Sequence, residues 1–155
     1  MKTYVLILSD SFPANHAMHG KPTYFREKFL GTPGMLRKLH TIRANYTLWA
    51  KRFEKIAAGD ACLSVREWMG APYRSKQREI ARLTKEDGIG IQLLRFHPDA
   101  DGFISWQQFD IDGHYNNIIN VANNDGLTYL DWRRWFRNYD LSKPLAIIHF
   151  TKFRY

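Results

Sequence analysis

The sequence contains a single cysteine, Cys62, among its 155 residues. An intramolecular disulfide and a zinc site built from several cysteines are therefore excluded. Long apolar runs are also missing. The first apolar stretch, residues 5–8, is too short for the core of a signal peptide, and no segment approaches the roughly 20 apolar residues that span a bilayer. We therefore expect a cytoplasmic protein that has no membrane partner.

The sequence has no internal repeat, low-complexity tract or linker, so residues 1–155 are expected to form a single domain. Hydrophobic residues make up 45% of the chain, which is typical of a globular protein. Lysine and arginine outnumber aspartate and glutamate by 23 to 15, which gives a net charge of +8. Such an excess attracts polyanions. We therefore expect RNA or a nucleoside- or nucleotide-like ligand as the partner, although a merely solvated basic surface has the same composition.

Side-chain periodicity predicts short strands interspersed with helices. The predicted strands are 4–8, 61–66, 77–83, 89–96, 104–111 and 145–153. The predicted helices are a short one at 23–30, one capped by Asn45, one running from a cap at Asp112 to about residue 123, and one that begins after Thr128. This order predicts an α+β fold in which a small, curved, mixed β-barrel carries flanking helices.

The final helix has the clearest sequence signals. Thr128 and Asp131 have the spacing of a capping box. The aromatic residues that follow recur at helical spacing, which predicts that they pack in the core: Trp132, Trp135, Phe136 and Tyr139.

The segment 66–82 interleaves basic and aromatic residues around a turn at Gly70 and Pro72. Arginine and lysine pair with phosphates, and aromatic rings stack on bases, so the segment has the composition of a nucleic-acid contact loop. A solvated hairpin with Trp68 folded back onto the domain is the alternative. The candidate contact residues are Arg66, Trp68, Tyr73, Arg74, Lys76 and Arg78.

Two patterns resemble metal sites, and both are incomplete. Asp99, Asp101 and Gly102 match places of an EF-hand loop, but Gln108 stands where the bidentate carboxylate is required. His16 and His19 have a spacing found in metal sites, yet no third ligand accompanies them. We therefore predict neither a metal nor a cofactor.

A basic stretch at 37–43 contains a lysine and a threonine three residues apart. If residues 41–43 are extended, Thr41 and Arg43 point to one face, and Lys38 joins them only if the chain turns before the strand. A lysine beside a threonine hydroxyl can act as a base when burial or a nearby cation lowers its pKa. A basic strand end that faces solvent gives the same pattern.

These residues resemble the ASCH family, whose domains are PUA-like β-barrels. The resemblance rests on Lys38-x-x-Thr41-Ile42-Arg43, followed by Gly59-Asp60 and an alternating strand. It also rests on the stretch 121–127 ahead of the helix capped by Thr128. These patches stand in the family's order, and the similarity covers most of residues 35–153.

The resemblance implies RNA binding, and some small bacterial members remove the acetyl group from acetylcytidine. Carried over by position, Thr41 is the expected nucleophile, Lys38 its base and Asp125 the carboxylate that handles a proton, while Arg43 helps to hold the ligand or its charge. Asp125 is one methylene shorter than the family's glutamate. Three functions stay open: an RNA- or nucleotide-binding module, an amidohydrolase acting on an acylated cytidine-type nucleoside, and an accessory interaction protein without a nucleic-acid role.

Overall fold

The computed structural model describes residues 1–98, 100 and 104–155, with the backbone alone at 104–107. The described chain is α+β, with seven strands, four α-helices and a 3₁₀ turn at Lys85–Asp87. In chain order the elements are β1 (Lys2–Ile7), α1 (Phe25–Leu30), β2 (His40–Arg43), α2 (Tyr46–Ala57), β3 (Ala61–Trp68), β4 (Gln77–Leu83), β5 (Gly90–Pro98), β6 (Ile104–Ile111), α3 (Ile118–Asn124), α4 (Tyr129–Trp135) and β7 (Leu145–His149).

The strands form two separate sheets. The first has the order β1-β3-β4, in which β1 runs parallel and β4 antiparallel to β3. The second has the order β2-β7-β5-β6 and is antiparallel throughout. The predicted PUA-like barrel is therefore wrong, since no backbone ladder among the described residues closes either sheet or joins the two.

A side chain bridges the two sheets where a barrel would need a ladder. At the seam between β1 and β2, Nη2 of Arg43 donates to the carbonyl oxygen of Ile7 at 2.5 Å. Periodicity in the sequence located six of the seven described strands and missed β2, and it carries no information about which edges pair. The predicted number of strands therefore did not distinguish a closed barrel from the two separate sheets that the chain forms.

The helices begin where polar side chains can satisfy free backbone donors. The Asn45 side chain accepts from the amide of Leu48 at 3.2 Å, and the Thr128 hydroxyl accepts from the amide of Asp131 at 3.3 Å. Asp112 does not cap α3, whose cap is Asn117. Asp112 instead adopts a positive φ of 50° in a turn, and its carboxylate accepts from the amide of Leu93.

One cluster of buried apolar side chains draws on both sheets and all four helices. Of the aromatic stripe predicted for the last helix, Trp132 and Phe136 are buried, whereas Trp135 and Tyr139 are only half-buried. The helix ends at Trp135, so Tyr139 lies beyond it. No helix in the described part of the chain is both long and apolar enough to cross a membrane.

Candidate functional site

A cavity of about 580 Å³ opens beside the seam between the two sheets. Its walls come from β1 and the loop after it, from the start of β2, from the turn between β3 and β4, and from the segments that follow α3 and α4. This volume suits a small molecule. Four residues singled out from the sequence line it together: Lys38, Thr41, Arg43 and Asp125.

The ammonium group of Lys38 is held by a single residue, Asp125. Its Nζ donates to the main-chain oxygen of Asp125 at 2.7 Å and to the carboxylate oxygen Oδ1 at 2.6 Å. Local backbone contacts fix both partners, because the amide of Leu39 donates to Asn124 O at 2.7 Å and Asp125 ends α3. Lys38 is 2% exposed and Asp125 3% exposed, so this is a buried ion pair.

Two aromatic residues also contact the pair. The indole Nε1 of Trp132 donates to Oδ2 of Asp125 at 3.1 Å. Nζ of Lys38 also lies 4.0 Å from the centre of the Phe25 ring, a favourable position for a cation. These contacts hold the lysine and the carboxylate in a defined arrangement.

Burial shifts the protonation of both members of the pair. Removal from water lowers the pKa of Lys38 to about 8, and the positive charges of Arg43 and Lys28 act in the same direction. The Asp125 carboxylate opposes the shift without cancelling it. Burial also raises the pKa of Asp125, although Lys38 pulls it down. A lysine with a pKa near 8 is roughly one-tenth neutral at pH 7 and can act as a base.

Thr41 and Arg43 lie side by side on β2. Nη1 of Arg43 donates to the hydroxyl oxygen of Thr41 at 2.8 Å and to the carbonyl of Ile42 at 3.0 Å. Because the hydroxyl oxygen accepts from a cation, its own proton is free to be donated. No hydrogen bond between Thr41 and Lys38 is present among the described residues. The two side chains share the cavity wall, and a ligand between them would meet both.

The turn between β3 and β4 adds aromatic side chains to the mouth of the cavity. Trp68 and Tyr73 line it, and their ring centroids are 5.2 Å apart. Trp68 is half-buried, whereas Tyr73 is 90% exposed and has a positive φ of 63°. Non-glycine residues with positive φ are uncommon and often mark functional loops.

The basic residues of this turn fall into two groups. Arg66 donates to Ser64 and Gln77 and lies 3.9 Å from Glu79, while Arg78 forms an ion pair with Glu67. Arg74 and Lys76 are exposed, and neither has an ion-pair partner among the described residues. These two side chains therefore carry exposed positive charge in the turn whose Trp68 and Tyr73 line the cavity.

Sequence reasoning missed much of the cavity wall. Phe12 lies in a loop with no periodicity to mark it, and Phe25 lies in a short helix that gave no functional signal. Trp135 and Tyr139 were assigned to the core because helical spacing cannot distinguish a core stripe from a cavity wall. All four line the cavity and add aromatic surface to its wall.

The residues that resembled metal ligands have other surroundings. Nε2 of His16 donates to the carbonyl of Asp131 at 2.9 Å, and its Nδ1 accepts from the amide of Met18. His19 lines the cavity. The EF-hand-like Asp99, Asp101 and Gly102 lie outside the described residues.

A second polar layer lies behind the ion pair. The Tyr155 hydroxyl is 2.6 Å from Nε2 of His40 and accepts from the side-chain amide of Asn124 at 3.2 Å. His149 contacts Gln92, whose side chain is held by the backbone of Tyr155. Burial lowers the pKa of His40 well below its usual value and that of His149 to about 3, so both rings are neutral.

Comparisons of the chain with protein-family models, with curated proteins and with solved structures found no match.

Proposed function

We propose that this protein is an amidohydrolase that removes an acyl group from an acylated cytidine-type nucleoside. The observation that carries the proposal is the cavity wall on which a buried lysine with a lowered pKa, its carboxylate partner and a threonine hydroxyl occur together. A buried ion pair is weak support for stability, because desolvation offsets most of the attraction between the charges. Titratable groups with perturbed pKa values in a cleft are typical of active sites.

The residues fit a two-step acyl transfer. Neutral Lys38 takes the hydroxyl proton of Thr41 as its Oγ1 bonds to the acyl carbon, and the carbonyl π electrons move to the oxygen. When this tetrahedral intermediate collapses, the bond from carbon to the exocyclic nitrogen breaks, and Lys38 returns its proton to the leaving amine. Water, deprotonated by Lys38, then attacks the carbonyl carbon of the acyl-threonine. The bond from this carbon to Oγ1 breaks, and Lys38 returns the proton to Oγ1, which restores the threonine and the neutral lysine. The products are the nucleoside and a carboxylic acid.

Arg43 and Asp125 have supporting electrostatic roles in this scheme. The guanidinium of Arg43 lies next to Oγ1 of Thr41, where it stabilises developing negative charge. Asp125 holds Lys38 at fixed atoms and stabilises its protonated form after the first transfer. The aromatic walls offer flat apolar surfaces for a base.

The experiment that tests the proposal is hydrolysis of N4-acetylcytidine, followed by chromatography of cytidine and an assay of released acetate. Wild type should release both in equal amounts. Thr41→Val keeps the shape of the side chain and removes the nucleophile, so turnover should be lost while binding of the substrate is retained. Thr41→Ser is the matched control, since it keeps a hydroxyl on the same strand.

Two results would contradict the assignment. Turnover that survives Thr41→Val would remove Thr41 as nucleophile. No release of cytidine by wild type, tested with acetyl and longer acyl groups, would reject the amidohydrolase.

A binding module for RNA or a nucleotide is the second candidate. The exposed Arg74 and Lys76 in the same turn as the neighbouring rings of Trp68 and Tyr73 support it, because this combination suits a phosphate backbone and an unstacked base. In that case the protein would bind single-stranded RNA in a salt-dependent way and leave acylated nucleosides unchanged.

A further inference from the structure

Next to the ion pair, one buried polar atom has no hydrogen-bond partner among the described residues. This atom is Nδ1 of His40, a fully buried residue for which the described part of the chain offers Nδ1 no hydrogen bond. The nearest charged atom is Oδ1 of Asp125, at 3.9 Å, which is beyond hydrogen-bonding distance. An unsatisfied buried donor or acceptor costs about 1–3 kcal/mol, and such exceptions in a folded protein call for a reason.

The surrounding groups determine which nitrogen of His40 carries the proton. The Tyr155 hydroxyl accepts from Asn124 and lies 2.6 Å from Nε2 of His40, to which it can donate its single proton. When Nε2 accepts this proton, the neutral ring carries its own proton on Nδ1. The carboxylate of Asp125 favours the same tautomer, because a lone pair on Nδ1 would face a negative charge.

We propose that Nδ1–H of His40 is the reserve hydrogen-bond donor of Asp125, which it engages whenever Lys38 is neutral. This proposal rests on the proposed function, in which Lys38 alternates between neutral and charged states. While Lys38 is charged, it occupies Oδ1 at 2.6 Å, and Nδ1 of His40 has no hydrogen-bond partner in the described part of the chain. Once Lys38 is neutral, its hydrogen bond to Oδ1 is no longer strengthened by its charge. A shift of about 1 Å between Nδ1 of His40 and Oδ1 then brings Nδ1–H within hydrogen-bonding distance of the carboxylate.

The consequence is that Asp125 stays ionised without a charged partner. His40 is then a positioning residue, which acts on Lys38 through Asp125. The titratable groups facing it are Asp125, Lys38, Tyr155 and, on β7, His149, whose ring centroid is 5.4 Å away. His149 cannot serve as the donor. Its Nε2 contacts Oε1 of Gln92, an acceptor, so its neutral ring has no proton on Nδ1.

The first test uses the wild-type protein without substrate. Long-range ¹H–¹⁵N correlation spectra report which imidazole nitrogen of His40 is protonated. We expect the proton on Nδ1, and we expect the Nδ1 resonance to shift as Lys38 titrates. A proton on Nε2, or a resonance that is indifferent to the titration of Lys38, would overturn the proposal.

The second test follows the titration of Lys38 by NMR of its side chain. In His40→Phe the reserve donor is gone, so neutral Lys38 is disfavoured and its pKa should rise by about one unit, the scale set by a hydrogen bond to a charged group. His149→Phe replaces a neighbouring buried ring that has no donor toward Asp125, and it should leave the pKa unchanged.

If His40→Phe does not fold, Tyr155→Phe provides the same comparison. It removes the hydroxyl that fixes the tautomer, so the pKa of Lys38 should rise by a smaller amount. An unchanged pKa in the folded variant would contradict the proposal. Both tests run without substrate, so a failure of the amidohydrolase assay alone would reject the function and leave the role of His40 at Asp125 standing.

Discussion

Lys38 donates to two atoms of one residue, the main-chain oxygen and the carboxylate of Asp125, at 2.7 and 2.6 Å. The two bonds anchor the amine to the end of α3 as well as to a charge. A change of the Asp125 side chain would remove only one of them. The position of the lysine is therefore set partly by the backbone, whereas its protonation is set by the carboxylate and by burial.

The pH dependence of turnover should follow Lys38. Its pKa of about 8 means that kcat/KM rises about tenfold per pH unit below pH 8 and levels off above it. Initial rates with N4-acetylcytidine in a series of buffers from pH 6 to pH 9 measure this profile. In Lys38→Met the profile should be lost together with the activity. A rate that is flat between pH 6 and 8 would show that Lys38 is not the base.

The lowered pKa of Lys38 also makes the stability of the fold depend on pH. The pKa of Lys38 is lower in the folded protein than the 10.5 of an ordinary lysine. Between pH 8 and 10.5 the unfolded chain therefore binds more protons than the folded one, and the Lys38 contribution to the free energy of unfolding increases with pH. Urea titrations at pH 8 and pH 10, compared between wild type and Lys38→Met, should show this contribution in wild type only.

Removing one partner of the ion pair should lower the free energy of unfolding more than replacing both partners. Lys38→Met leaves Asp125 buried without its cation and should destabilise the fold by about 3–5 kcal/mol. Adding Asp125→Asn removes the stranded charge and keeps an acceptor for Trp132, so the double variant should recover much of the loss. Urea unfolding of the two single variants and the double variant measures the coupling. Simple additivity would mean that the pair does not interact in the folded protein.

Gly126 should tolerate no side chain. Its φ is +84°, and a Cβ there would lie 3.3 Å from Cβ of Lys38. Gly126→Ala should therefore combine backbone strain with displacement of the lysine, and lower both stability and kcat. Gly34 is the matched control, with a φ of +81° and nothing within 4 Å of the added carbon. Gly34→Ala should lower stability through strain alone, and its kcat should equal that of wild type.

Binding of single-stranded RNA, if present, should depend on Arg74 and Lys76. Each phosphate contact contributes a slope of about −0.7 to log affinity against log salt. Arg74→Gln with Lys76→Gln should flatten the slope by about twice that amount, while Lys55→Gln on α2 serves as an exposed control. Adding Arg78→Gln should change little more, because Arg78 is paired with Glu67. An unchanged slope in the double variant would rule out this turn as the contact surface.

The parts of the fold that depend on local sequence were predictable. Strands at 77–83 and 104–111 agree with β4 and β6, and the caps at Asn45 and Thr128 mark the starts of α2 and α4. Alternation and capping act between residues that are neighbours in the chain, so they can be read directly. Sheet closure depends on pairing between distant edges, for which residues 1–155 contain no local signal, and the barrel prediction failed there.

The candidate site also contains some residues that the sequence identified and others that only the fold brings together. Lys38, Thr41 and Arg43 were identified because they are close in sequence, and Asp125 only because the resemblance supplied it. His40 and Tyr155 are 115 positions apart and meet through the fold alone. Neither gave any signal, because a histidine on a buried strand has the pattern of an ordinary core residue.

The bridge between Arg43 and Ile7 has a mechanical consequence for the cavity. Each sheet is stiff along its ladders, but at the seam between β1 and β2 the guanidinium supplies the bridging hydrogen bond. A bulky ligand that pushes the walls apart would work against this side-chain link before it strained any strand pairing. The same arginine donates to the hydroxyl oxygen of Thr41, so widening of the seam would also displace the guanidinium from that hydroxyl group.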